Sequence, residues 1–165
     1  MLRRVMIAGP GSVPAGHRYW RILVSKSSGS TLYIGFTEIE FRGVAGGPNL
    51  IPVQTGDAAA SASSVINSGN AVWMAADGTT TKGWLSNGIT NVWWKYDFGS
   101  SSHSGAPLAD VKQVAIYGSY NSPTSSPQDF EIQWSDNNST WVTALSVTGQ
   151  VGWTGASDVR LFNLP

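Results

Sequence analysis

The sequence predicts an all-β protein, an antiparallel β-sandwich built as one domain. Three observations carry that expectation. At least seven short runs alternate apolar and polar residues with the two-residue period of a strand. Gly, Pro, Ser and Asn punctuate the gaps between them, with 19 glycines and 8 prolines among 165 residues. No apolar stripe recurs at helical spacing, so no helix longer than a turn is expected. A single domain of this length buries roughly 70% of the surface its unfolded chain exposes and needs no covalent staple. The chain has no cysteine to make one, which also removes thiolate metal sites and cysteine nucleophiles.

Ten basic and ten acidic residues cancel. Charged residues make up 12% of the chain, against a typical ~25%. A strongly basic surface for nucleic acid is therefore not expected. No apolar run approaches the ~20 residues of a membrane span, so membrane insertion is not expected either. Eight tryptophans beside many Ser, Thr and Asn residues fit a β-rich chain with long loops, or a surface that recognises something neutral.

Residues 1–16 carry Gly9, Pro10, Gly11, Pro14 and Gly16 and are expected to form an arm ahead of a sandwich over residues 17–165. Arg3 and Arg4 give the start of a secretion signal, but the apolar run over residues 5–8 is shorter than the ~7–15 residues such a signal needs. The arm either stays disordered or docks on a larger assembly. From His17 the pattern turns to strand, with Trp20, Ile22 and Val24 alternating with Tyr19, Arg21 and Leu23, and a turn is expected over residues 25–31. In residues 32–41, Ile34, Phe36 and Glu38 share one parity while Tyr33, Ile39 and Phe41 share the other, so periodicity does not settle the inward face. Residues 58–64, AAASASS, could pass for helix on alanine content, but their serines favour turns and caps, and a short strand is read near residues 61–65.

The densest aromatic stretch follows the turn pair Asp77-Gly78. It passes Trp84 and reaches Trp93-Trp94-Lys95-Tyr96-Asp97-Phe98-Gly99. Trp94, Tyr96 and Phe98 share one side of that strand and Trp93, Lys95 and Asp97 the other, so one side is a core face. Further strands are expected over residues 111–117, 130–134, 140–147 and 159–164, with Ser135-Asp136-Asn137-Asn138 as a turn.

Three segments together resemble the discoidin-like, coagulation-factor type C domain. They are Asp77-Gly78 with Trp84 and the residue 93–99 run; residues 126–141, SPQDFEIQWSDNNSTW; and Arg18-Tyr19-Trp20-Arg21-Ile22 with Glu38-Ile39-Glu40-Phe41. That family belongs to the galactose-binding-like jelly rolls, which include many carbohydrate-binding modules. Here the Arg-Tyr and Glu-Ile-Glu strands come first, whereas in the usual arrangement they close the domain. Chain ends that lie close together allow such circular permutation. The permuted order resembles modules of bacteriophage tail-fibre, spike and head-fibre proteins. It implies a jelly-roll sandwich at a virion surface, assembled in the host cytoplasm and released on lysis. The implied partners are a host cell-surface glycan, other virion proteins contacted through the arm, and further copies in a homo-oligomer.

The resemblance also implies sites. Family members hold a structural calcium near the Asp-Gly loop, which nominates Glu38 and Asp77, with Thr79 or Thr80 as oxygen donors. The other reading is that Asp77 makes an Asx turn. Lys82 stands where relatives carry threonine, and a lysine there could replace the cation. For Trp84, Trp93 and Trp141 the resemblance implies core roles. A sugar presents hydroxyls to amides and charges and its C–H face to an aromatic ring. The loop residues Trp73, Tyr120 and Trp153, with Asn70, Lys82, Asn87 and Asn121 beside them, are the candidates for that contact, with packing within the loops as the alternative. His17 and His103 lack a Ser/Asp arrangement, Asp97 and Asp136 fall at turns, and Glu131 points to the solvent side. The expected function is thus non-catalytic carbohydrate binding, with a structural connector as the alternative.

Overall fold

The computed structural model describes residues 16–165. The expected arm, apart from Gly16, lies outside the described residues. Ten strands follow in order: β1 (Tyr19–Ser27), β2 (Gly35–Phe36), β3 (Glu38–Arg42), β4 (Ala60–Ala62), β5 (Trp84–Leu85), β6 (Val92–Asp97), β7 (Gln113–Tyr117), β8 (Pro127–Ser135), β9 (Val142–Val147) and β10 (Val159–Asn163). They pair antiparallel into a five-stranded sheet β4-β6-β1-β8-β9, a three-stranded sheet β10-β7-β3 and the small pair β2-β5. The architecture is all-β and sandwich-like, as the alternation predicts.

The two larger sheets meet through their inward residues. Trp20, Ile22 and Val24 of β1, Trp94 and Tyr96 of β6, and Ile132 of β8 are buried against Ile39 and Phe41 of β3 and Val114 and Ile116 of β7. Phe41 joins the sheets, its ring centroid 6.2 Å from that of Trp20 and 6.5 Å from that of Trp94. Burying each such side chain stabilises the fold by ~1.5–3 kcal/mol. On the outward side of the five-stranded sheet, register places Arg21 directly between Lys95 and Gln133, with Ser61 beyond Lys95 and Thr143 beyond Gln133.

Several local expectations are corrected. Strand β1 runs on to Ser27 through the expected turn, because an irregularity in its pairing with β8 after Val24 lets the ladder continue. The segment over residues 32–41 is two strands, and its ambiguous parity has a cause. The chain changes partner at Thr37, β2 pairing with β5 and β3 with β7, so every residue from Ile34 to Ile39 is buried. Thr37 holds that corner by donating its hydroxyl to the Gly118 carbonyl at 2.6 Å. Close crossing there requires glycine, since a Cβ on Gly83 would lie 2.3 Å from the Phe36 carbonyl oxygen. The short strand falls at Ala60–Ala62, and single 3-10 turns occupy Ser68–Asn70, Val72–Ala76 and Pro123–Ser125.

Candidate functional site

The outward face of the five-stranded sheet carries an open groove. A cavity of about 330 Å³ is lined by Arg21, Trp93, Lys95, Asn138 and Trp141. Strand alternation puts Arg21 on the face opposite Trp20 and Ile22, and Trp93 and Lys95 opposite Trp94 and Tyr96. The turn after β8 supplies the rest. Asn137 Oδ1 accepts the amides of Ser139 and Thr140, Ser135 Oγ accepts that of Asn138, and Asn138 takes the left-handed conformation that asparagine tolerates. Trp141 follows directly, and the Arg21 guanidinium lies 3.9 Å from its ring centroid. Lys95 Nζ sits 5.4 Å from the Trp93 centroid and 5.6 Å from that of Tyr19, distances typical of cation–π contact.

The polar partners of these cations are neutral. Arg21 Nε donates to Gln133 Oε1 at 2.7 Å, and Lys95 Nζ donates to Asn138 Oδ1 at 2.7 Å. Gln133 in turn donates to Glu131 Oε2 at 2.6 Å, where the Thr143 hydroxyl also donates. Asp97, another carboxylate on this face, accepts two hydrogen bonds from Arg18 at 2.8 and 3.0 Å. Burial lowers the pKa of Lys95, opposed by Asp97 and reinforced by Arg21, and burial lowers that of Arg21 against the pull of Glu131.

The tryptophans divide by their indole N–H groups. Trp20, Trp84, Trp94 and Trp153 are buried and donate to the carbonyls of Ala109, Ser64, Val72 and Pro127. Trp73, Trp93, Trp134 and Trp141 are half-buried and their indole N–H groups have no acceptor among the described residues, but of these only Trp93 and Trp141 line the groove. The core role implied for Trp84 therefore stands, and those implied for Trp93 and Trp141 are corrected. Their strand parity and turn place them outward.

The loop candidates are distributed differently. Tyr120 OH accepts Asn70 Nδ2 at 2.7 Å, Asn70 also donates to the Gly83 carbonyl beside Lys82, and Asn121 Nδ2 donates to Tyr33 OH at 2.9 Å. Lys82 and Asn87 are exposed, and Trp73 is half-buried in the Val72–Ala76 turn, its amide bound by Asp57. Trp153 is not a loop platform. It is 5% exposed and covered by Arg160, whose guanidinium lies 4.0 Å from the ring centroid. The glycines beside it supply no packing, but residues distant in sequence do.

At the Asp77 turn, Glu38 is 4% exposed. Its Oε1 accepts the Gly78 amide at 3.3 Å, while Oε2 is buried without a partner among the described residues. Burial pushes the Glu38 carboxyl up to about 8, the Gly78 hydrogen bond opposing and the Asp77 and Glu40 charges adding to the rise. The Asx turn is present, Asp77 Oδ1 accepting the Thr79 amide at 2.8 Å, and the Thr79 and Thr81 hydroxyls are 3.2 Å apart. An orphaned carboxylate oxygen beside a second carboxylate and loop hydroxyls suits a hard, oxygen-seeking cation. No group of three or more His, Cys, Asp and Glu side chains occurs among the described residues, so Thr79, Thr80 and loop carbonyls would complete the shell. Lys82, the suggested replacement for a cation, forms no salt bridge with Glu38.

A larger cavity of about 520 Å³ lies near His103, whose Nδ1 is 3.1 Å from Tyr96 OH. Burial lowers the His103 pKa. His17 stacks on Trp134 with centroids 3.4 Å apart and pairs with Asp136 at 3.2 Å. These contacts account for both rings. No family model matches this chain, and neither a curated protein nor a solved structure matches it.

Sequence reasoning passed over Arg21, Lys95, Asn138 and the outward roles of Trp93 and Trp141. The signal was present: the solvent parity of two strands reads Tyr19-x-Arg21 and Trp93-x-Lys95, aromatic and cation on both.

Proposed function

We propose that this protein is a non-catalytic carbohydrate-binding module, a permuted galactose-binding-like jelly roll that holds glycan on the outward face of its five-stranded sheet. One observation carries the reading. Two half-buried indoles whose N–H groups have no acceptor among the described residues line an open groove together with Arg21, Lys95 and Asn138. Indole rings take the C–H face of a sugar, while cations and amides take its hydroxyls. At about 330 Å³ the groove suits a ligand of one or two sugar rings. A host-surface glycan bound by a virion protein is the setting that the strand order suggests. A structural calcium held by Glu38 and Asp77 with Thr79 or Thr80 would tie β3 to the loop and leave the groove's chemistry to the side chains named above.

The test is a glycan array probed with wild type, Trp93→Ala and Trp141→Ala. Each substitution should abolish binding while leaving the unfolding midpoint near wild type, because neither side chain belongs to the core. Wild-type binding by both variants would remove the groove from the reading. The connector alternative draws on Val159 and Leu161, 39% and 53% exposed on the edge strand β10. An array that stays blank while Leu161→Asp dissociates an oligomer would favour it.

A further inference from the structure

Arg21 and Lys95 are direct cross-strand partners on β1 and β6. Like charges placed opposite one another across a strand pair destabilise it. Four other cations are compensated, Arg18 by Asp97, Arg42 by Glu40, Lys112 by Asp110 and Arg160 by Asp158, while Lys26 and Lys82 have no salt bridge among the described residues but are exposed to water. Arg21 and Lys95 have no salt bridge among the described residues, and both are partly desolvated. Each is steered by an amide that fixes its position without neutralising it, Gln133 for one and Asn138 for the other. The terminal nitrogens of Arg21 donate no hydrogen bond among the described residues, so the fork that pairs with a carboxylate is open. The neutral total charge of the chain hides this local excess.

Resting on the carbohydrate reading of the same groove, we propose that its ligand is an acidic saccharide whose carboxylate sits between Arg21 and Lys95 while the sugar ring lies against Trp93 and Trp141. A carboxylate there supplies the charge that the strand pair lacks. Asn138 and the two indole N–H groups, which have no acceptor among the described residues, remain for ring hydroxyls. The carboxylates already on this face do not fill that place: Asp97 is held by Arg18, Glu131 by Gln133 and Thr143, and Asp129 by the Gly149 amide.

The experiment compares matched polymers. Immobilised polygalacturonate, polyglucuronate, alginate and polysialic acid are set against their carboxyl-reduced forms and against a sulfated neutral glucan, with the full chain as analyte. Binding to at least one carboxylated polymer, weakened by about tenfold or more in its reduced form, is expected, the size that losing a hydrogen bond to a charged group produces. Lys95→Gln should weaken the acidic polymer to the level of the reduced one without lowering the unfolding midpoint, and Lys95→Arg should restore the difference. Equal binding of acidic and reduced polymers overturns the acidic ligand and leaves the carbohydrate reading standing. Preference for the sulfated glucan over every carboxylated one also overturns it. Binding to none of the polymers overturns it, and if the broader array is blank as well, the carbohydrate reading falls with it.

Discussion

On the outward face of the three-stranded sheet, Arg42 donates through two nitrogens to Glu40, Tyr117 donates its hydroxyl to the same carboxylate, and Gln113 links Arg42 to Asn163. On the outward face of the five-stranded sheet, Arg21 and Lys95 stand opposite each other and hydrogen-bond neutral amides. Both are half-buried polar ladders on antiparallel strands. In the first, the fold itself compensates the charges. In the second it positions the charges within the pull of Glu131 and Asp97 but leaves an ion-pair partner to something outside. A closed network rigidifies a sheet, whereas an open one is preorganised for a ligand at some cost in stability.

The largest effect should come from an open carboxylate atom near the closed face, Glu38 Oε2. A carboxyl raised from 4.5 to about 8 keeps a proton in the folded state that the unfolded chain has released. Its contribution to stability is therefore full below pH 4.5 and lost as pH rises to about 8. The slope approaches about 1.4 kcal/mol per pH unit between those limits. Unfolding in chelator across that range should show the decline, and Glu38→Gln should flatten it. Added calcium should restore stability at high pH by mass action. A flat profile for the wild type in chelator contradicts the buried-acid account, and no response to calcium removes the metal.

Next comes the open face itself. Trp141→Ala should cost about 2 kcal/mol or more in glycan affinity, as central aromatic contacts do. Leu161→Ala on the other outward face should cost nothing, so equal losses by titration calorimetry would erase the contrast between the faces. On the closed face, Glu40→Ala leaves Arg42 and the Tyr117 hydroxyl without their acceptor and should lower stability by roughly 2 kcal/mol. It should leave glycan binding intact. The smallest effect belongs to Lys95→Gln, which removes one of two opposed cations and should keep the free protein within about 0.5 kcal/mol of wild type, or above it. A loss as large as that of Glu40→Ala would mean that Lys95 is structural.

Much of this was legible in local pattern. The separation of Trp93 and Lys95 from Trp94 and Tyr96, the turn at residues 135–138 and the proximity of Glu38 to Asp77 were all readable from spacing or resemblance. Trp153 was not, because its cover comes from Arg160 and its acceptor is the Pro127 carbonyl. Nor was the break at Thr37, where parity gives no warning that one run serves two sheets.

Alternation is a property of the extended backbone, so the sequence by itself determined which residues share a face and that the protein is β-built. Which face is covered depends on a second sheet that the chain reaches only later, and the register between β1 and β6 depends on every contact made along the strands between them. Only the tertiary structure could therefore set Arg21 against Lys95, swing Trp141 over them through the β8–β9 turn, and leave Glu38 Oε2 sealed beneath a loop without a partner. Local sterics set the period of a strand, but pairing two charges is a long-range choice, stabilised by the buried aromatic residues on the opposite side of the same strands.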